Sequence, residues 1–177
     1  WQYANGYDYS PVLRFDYREA YKSIGNGATF KRDLMNFGDV RTCVFFLCDK
    51  VAARLRKHHV ECSALQVGIK DTNFQTIQRS SQLPSPTDLA YDLRNAALSL
   101  IEANIDIEKE PIRSITVTGT KLLNGDEVCE QISFLDLDYH IKREKEHRLE
   151  CTKDNIRHKY GLGTITRCSF IDNDFGF

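Results

Sequence analysis

Lys22-Ser23-Ile24-Gly25-Asn26-Gly27-Ala28-Thr29-Phe30-Lys31-Arg32-Asp33 is the stretch from which the fold and the function of this chain are best approached. Its twelve positions hold two glycines, two hydroxyl residues and three cations. An extended segment with glycines lets a phosphodiester backbone approach its amide groups closely, and hydroxyls and cations can then contact the phosphate oxygens. The alternative is a surface edge strand with ordinary solvated charges, and composition alone does not separate the two.

A first helix follows this stretch. Apolar residues recur at spacings of three and four from Val40 to Leu55, which predicts a helix with one buried stripe. Asp39, just after a glycine, is the predicted N-cap, and the helix should end near His58-His59.

The remaining elements follow from alternation and from breaks in the chain. Residues 65–70 alternate between apolar and polar, and residues 74–83 are polar on both faces, which predicts two paired strands. Pro84-Ser85-Pro86 should break the chain before a second helix capped by Thr87, and a last strand follows Pro111. The order β-α-β-β-α-β predicts an α+β fold, a four-stranded sheet with two helices on one face.

The uncovered face of this sheet should carry small hydrogen-bonding side chains, rimmed by cations. Such a face suits phosphate contacts without base recognition, although a solvated outer face is common in antiparallel sheets. The predicted face residues are Gln66, Gly68, Gln78, Ser80, Thr116, Thr118 and Thr120, and the predicted rim is Lys31, Arg32, Arg79 and Lys121.

Lys-Ser-Ile-Gly at residues 22–25, followed by Thr-Phe-Lys-Arg-Asp at residues 29–33, resembles the opening strand of the little-finger domain of Y-family translesion DNA polymerases, the DNA polymerase IV type. Residues 1–12 are similar to the family's thumb-to-linker seam. The resemblance implies sequence-independent binding of double-stranded primer–template DNA in bacterial DNA-damage repair. The implied DNA-binding residues are Lys22, Ser23, Gly25, Thr29, Lys31, Arg32, Arg79, Ser80, Ser81 and Lys121.

Beyond Leu123 the chain changes character. Gln131-Ile132-Ser133-Phe134-Leu135 resembles the bacterial peptide that binds the sliding clamp, with the last aromatic and aliphatic residues exchanged. Such a peptide inserts a glutamine and apolar anchors into a preformed groove. The alternative is a further edge strand. The clamp-binding residues implied are Gln131, Ile132, Ser133, Phe134 and Leu135.

Three regions follow from this pattern. Residues 1–21 are expected to be the end of a thumb domain and a linker, residues 22–123 the little-finger DNA-binding domain, and residues 124–177 the clamp-binding peptide and a C-terminal helical and strand tail. Because the chain opens on Trp1 rather than Met, we expect it to be part of a longer protein.

No active site is predicted in the chain. Asp136-x-Asp138 and Asp172-x-Asp174 have the spacing of metal ligands, but two-metal nucleotidyl transfer needs convergent carboxylates on a rigid scaffold. The resemblance places the catalytic carboxylates and two Mg²⁺ ions in a palm domain upstream of Trp1, so neither a catalytic residue nor a metal ligand is expected here. A small metal-dependent enzyme using Asp172 and Asp174 is the less favoured alternative.

Charge and composition limit the ligands and the cellular location that the chain can have. The net charge is −1, yet residues 22–60 hold eight Lys or Arg against three Asp, which is compatible with a local basic surface. No segment predicts a membrane span or a signal peptide, and the six cysteines are interpreted as reduced cytosolic thiols, so a cytoplasmic location is expected. The alternative function is a free-standing ferredoxin-like protein-interaction module without DNA binding.

Overall fold

The computed structural model describes residues 1–12, 14, 15, 21–107, 109–124, 137–171 and 174–176, with the backbone alone at 137–139. Two short 3-10 turns lie at Tyr3–Asn5 and Cys168–Phe170. The strands and helices are, in chain order, β1 (Ser23–Leu34), α1 (Phe37–Lys57), β2 (Val60–Asp71), β3 (Thr76–Thr87), α2 (Ala90–Asn104), β4 (Ile112–Asn124) and α3 (Leu137–Tyr160).

The four strands form one antiparallel sheet in the order β1-β4-β2-β3. Apolar side chains of one parity, such as Val67 and Val117, are buried with Val44 of α1 and Leu93 of α2 in a single core. Both α1 and α2 therefore cover the same face of the sheet, and the predicted α+β architecture with its β-α-β-β-α-β order is confirmed.

Three local predictions were wrong in detail. The N-cap of α2 is Leu89 rather than Thr87, and no side chain caps it. The N-cap of α1 is Asn36, whose side chain accepts a hydrogen bond from the Asp39 amide at 2.9 Å, so the helix begins before Asp39. The segment Pro84-Ser85-Pro86 does not end β3, which continues to Thr87. Because β3 lies at the edge of the sheet, the missing proline N–H groups do not interrupt a second ladder.

Helix α3 is attached to the domain by charged side chains. Arg56 of α1, whose side chain is 7% exposed, contacts Glu150 at 2.5 Å and Asp154 at 2.7 Å. The helix ends at Tyr160 and is followed by Gly161, which has a φ of 101°. Among the described residues after Gly161 no strand forms, so the strand expected in the tail is replaced there by the 3-10 turn.

The start of the chain has little cover from the rest of the domain. Trp1 is 90% exposed and Tyr9 87% exposed. No helix in the described ranges combines the length and the apolar character that crossing a membrane requires.

Candidate nucleic-acid interface

The face of the sheet opposite the helices is built from four rows of directly paired residues. Because paired residues of neighbouring strands share a face, the register places every member of a row on this open face. The rows contain no acidic residue and no large apolar side chain. They are Ser23-Thr120-Ala64-Gln82, Gly25-Thr118-Gln66-Ser80, Gly27-Thr116-Gly68-Gln78 and Thr29-Ser114-Lys70-Thr76.

Two glycines leave the middle of β1 without side chains that project from this face. A Cβ at Gly25 would lie 2.5 Å from Oγ1 of Thr118, and one at Gly27 would lie 2.5 Å from Oγ1 of Thr116. The threonine side chains of β4 therefore lean over β1, and only glycine leaves space for them. The result is a flat, hydroxyl-bearing surface next to the outer strand.

The outer edge of β1 presents backbone groups away from the sheet. The Gly25 carbonyl accepts a hydrogen bond from Arg54 of α1 at 2.6 Å, and the Lys31 amide donates one to the Phe175 carbonyl at 3.1 Å. Backbone groups of alternate residues point to the same side of a strand, so Gly27 and Thr29 direct theirs to this outer edge as well. These amides lie beside the open face, where an extended anionic backbone could contact both.

Three of the predicted cations are exposed at this part of the sheet. Lys22 precedes β1, Lys31 lies on its outer edge, and Lys121 lies in β4 with a φ of 51°. Lys70, on the open face, was missed as a site residue, and its Nζ lies 5.9 Å from the Phe74 ring centroid. The alternation that placed Gln66 and Gly68 on this face could have identified Lys70.

Arg32, by contrast, has its charge balanced within the protein. Its guanidinium contacts Asp39 at 2.6 Å and Asp174 at 2.5 Å. These hydrogen bonds raise the pKa of Arg32, and the bond from Arg32 lowers the pKa of the Asp174 carboxyl. No pattern in the sequence around Arg32 indicated either partner.

Two predicted residues of β3 lie on the other parity. Arg79 pairs with Val67 and Ser81 with Leu65, so both occupy the helix-facing side at the sheet edge. The Arg79 Nε donates to Oδ1 of Asn104 in α2 at 2.9 Å. The expected position of Arg79 on the rim of the open face is therefore corrected, whereas Ser80 lies on the open face as predicted.

The predicted clamp-binding residues lie outside the described residues, as do Asp136 and Asp172. Within the described residues, no group of three or more His, Cys, Asp or Glu side chains could hold a metal ion, and Asp174 is engaged by Arg32. The described part of the chain therefore offers no ligand set that fits the Mg²⁺ implied by the resemblance.

Comparisons with known proteins identify a matching family and similar proteins. The model of the impB/mucB/samB family C-terminal domain matches residues 21–134. DNA polymerase IV of Acetivibrio thermocellus is 35% identical over 167 residues, covering 94% of this chain and 41% of that protein. DNA polymerase IV of Clostridium kluyveri is 31% identical over 173 residues, covering 96% of this chain and 42% of that protein.

The chain thus spans about two fifths of the length of these curated relatives. Among solved structures, it is similar to the little finger domain of PolIV in a complex with the beta-clamp processivity factor. That likeness has a TM-score of 0.49 and 17% identity, and it covers 63% of this chain and 97% of the other.

Proposed function

The chain belongs to the impB/mucB/samB family through its C-terminal domain, and from this premise we propose that residues 22–123 bind primer–template DNA irrespective of its sequence. In this proposal the domain is the little finger of an error-prone DNA polymerase of the DNA polymerase IV type. Residues 1–21 connect it to a thumb domain, and the complete protein extends DNA past damaged bases in the bacterial cytoplasm, with Mg²⁺ held elsewhere in that protein.

The observation that carries the proposal is the absence of acidic side chains from the four rows of the open face. The whole chain contains 25 Asp and Glu residues, so a surface of this extent without a carboxylate favours an anionic ligand. Hydroxyl and amide groups position phosphates but do not identify bases when they contact only the backbone. A polymerase must hold any sequence, which this chemistry permits.

The outer edge of β1 supplies the second half of the proposed contact. Gly27 and Thr29 present backbone groups there, and Gly25 and Gly27 keep the surface above them low. Lys22, Lys31 and Lys121 add charge around the face, and Ser23 and Ser80 add hydroxyls. We assign Arg79 and Ser81 a smaller part than the sequence suggested, because both face the helix layer.

The proposed clamp contact is a second, separate function. Gln131, Ile132, Ser133, Phe134 and Leu135 would occupy a groove of the bacterial sliding clamp. A peptide attached to the DNA-binding domain raises the effective concentration of the polymerase at the primer end, even if the peptide itself binds weakly. The support for this contact is the sequence motif and its position between β4 and α3.

Salt dependence tests the DNA-binding proposal. Fluorescence anisotropy of two duplexes of unrelated sequence would be recorded at several salt concentrations for the wild type, Lys31→Ala and Lys109→Ala. Lys109 is the matched control, because its side chain is 81% exposed, pairs with Asp106, and belongs to the segment between α2 and β4 rather than to the four rows of the open face. Lys31→Ala should weaken binding equally for both duplexes and reduce the salt slope by about 0.9, whereas Lys109→Ala should change neither.

The alternative protein-interaction module makes a different forecast. It need not bind the duplexes, and any weak association would not show the steep linear dependence on log salt. Absence of salt-sensitive binding at low ionic strength would therefore refute the DNA-binding proposal and leave clamp binding to be tested alone.

A further inference from the structure

The last described residues, 174–176, pack against the outer edge of β1. We call them the tail clip. The Phe175 carbonyl accepts the Lys31 amide proton at 3.1 Å, and the Asp174 carboxylate accepts from Nε of Arg32 at 2.5 Å. The clip therefore contacts both the backbone and the side-chain charge at one end of the proposed DNA-binding edge.

Phe175 anchors the tail clip. It is 7% exposed, and its ring meets Phe30 edge-to-face with a centroid separation of 6.5 Å. The Arg32 guanidinium carbon lies 4.8 Å from the Phe175 ring centroid. Burial of a phenyl side chain and a cation–π contact both favour this position, which makes the clip more than a single surface ion pair.

The chemistry of the tail clip resembles that of the proposed ligand. The Asp174 carboxylate binds the guanidinium of Arg32, to which a phosphate oxygen would also bind. The Phe175 carbonyl oxygen accepts the hydrogen bond of the Lys31 amide on the outer edge of β1. Asp39 of α1 already balances the single positive charge of Arg32. With Asp174 in place, the three side chains carry a net charge of −1 and repel a further anion.

We propose that the tail clip is an internal competitor of DNA, so that Asp174 and the duplex backbone exclude one another at Arg32 and the Lys31 amide. This inference rests on the proposed function. With the clip bound, the DNA contact is restricted to the rest of β1 and the open face. When duplex DNA is present at a sufficient local concentration, it displaces the tail clip and contacts Arg32 as well.

Asp174→Asn is the variant that separates competition from folding. The Asp174 side chain is 65% exposed, so the loss of its charge should leave the core unchanged. Glu144→Gln is the matched control, because Glu144 is also 65% exposed, pairs with Arg148 on α3, and changes the net charge equally. Duplex binding would be measured across a salt series for both variants and for the wild type.

We expect Asp174→Asn to tighten duplex binding about two- to five-fold at low salt, which corresponds to the free energy of one exposed ion pair. Its salt slope should be steeper by about 0.9, because the side chains around Arg32 then carry one negative charge fewer and DNA no longer has to displace a carboxylate there. Glu144→Gln should bind with the wild-type slope.

Amide NMR gives a readout of the clip itself. Without DNA, the Lys31 amide should exchange with solvent faster in Asp174→Asn than in the wild type, because its acceptor carbonyl is held less firmly. Addition of duplex to the wild type should shift the Phe175 and Lys31 signals together, which would support displacement.

The opposing outcomes are distinct. If the wild type binds DNA with steep salt dependence but Asp174→Asn matches it, and the Phe175 signal does not move, the competition is refuted and the DNA-binding function stands. If neither protein binds duplex at low salt, the proposed function fails and the competition fails with it.

Discussion

Replacing Gly25 by alanine tests the close packing that leaves β1 without side chains on the open face at Gly25 and Gly27. The added Cβ would lie 2.5 Å from Oγ1 of Thr118 and 3.1 Å from both its Cβ and its Cγ2. Rotation about χ1 of Thr118 could place its Hβ in the clashing position, but the threonine Cβ would stay 3.1 Å away and the preferred rotamer would be lost. The two strands must therefore shift apart, or the threonine must leave its rotamer.

The expected cost follows from this geometry. Adding a methyl group to a site without space costs about 1–3 kcal/mol, and a Gly-to-Ala change restores about 0.4–1 kcal/mol by restricting the unfolded chain. We expect a net loss of about 1–2 kcal/mol for Gly25→Ala. Gly68→Ala is the matched control on the same face, since its Cβ would meet Gln78 Cγ at 3.7 Å and Thr116 Cβ at 3.8 Å, both ordinary contacts. It should be neutral or slightly stabilising.

Guanidinium unfolding of the two variants and the wild type provides the measurement. Gly25→Ala should lower the midpoint at an unchanged m-value, while Gly68→Ala should not. A double-mutant cycle then locates the cause. Removing the γ atoms with Thr118→Ala should recover part of the loss, so that the two substitutions couple by at least about 0.5 kcal/mol.

Equal stability of Gly25→Ala and Gly68→Ala would refute this argument. So would strict additivity in the cycle, since the loss would then not arise from the contact with Thr118. In either case the glycines of β1 would be dispensable for packing, and their presence would have to be explained by the ligand alone.

Three further predictions concern other parts of the chain. Arg56→Ala should destabilise the fold by about 3–5 kcal/mol in the same unfolding assay, because it removes the close cation of the nearly buried Glu150 carboxylate, leaving only Lys153 at 3.9 Å, and the partner of Asp154. Arg148→Ala on the exposed side of α3 should fall within about 0.5 kcal/mol. Gln131→Ala should weaken binding to a bacterial sliding clamp by about 30-fold in surface plasmon resonance if the glutamine is a hot spot, and unchanged binding would remove the peptide from the clamp contact. Iodoacetamide should modify exposed Cys168 within minutes at pH 8 and spare Cys43, because burial raises the pKa of Cys43 to about 12. Mass spectrometry of the folded protein measures both modifications, and faster modification of Cys43 than of Cys168 would contradict the prediction.

The elements that sequence analysis located well are those whose signal is local. Alternation in β2 and helical spacing from Val40 to Leu55 depend on neighbours a few residues away, and both correspond to the structure. The same alternation assigned Gln66 and Gly68 to the open face before any pairing was known. A period of two fixes the face of every residue once one apolar member is buried.

Strand β3 was harder because its sequence carries no contrast between its faces. Residues 76–82 are polar at nearly every position, so nothing local separates Ser80 on the open face from Arg79 on the helix side. The prolines at 84 and 86 indicate a break in a central strand but are tolerated at an edge, and strand order is a property of the whole sheet. Both errors therefore have one cause, the edge position of β3.

The charge of Arg32 shows a different limit. The motif around it suggested a cation available to DNA, yet its partner Asp174 lies 142 residues away along the chain. A local pattern cannot reveal a contact of that separation. The consequence for function is specific: a basic residue in a DNA-binding motif contributes to affinity only by the charge that its own protein leaves uncompensated. Lys31, next in sequence but without a carboxylate partner among the described ion pairs, is for that reason the better residue with which to test the interface.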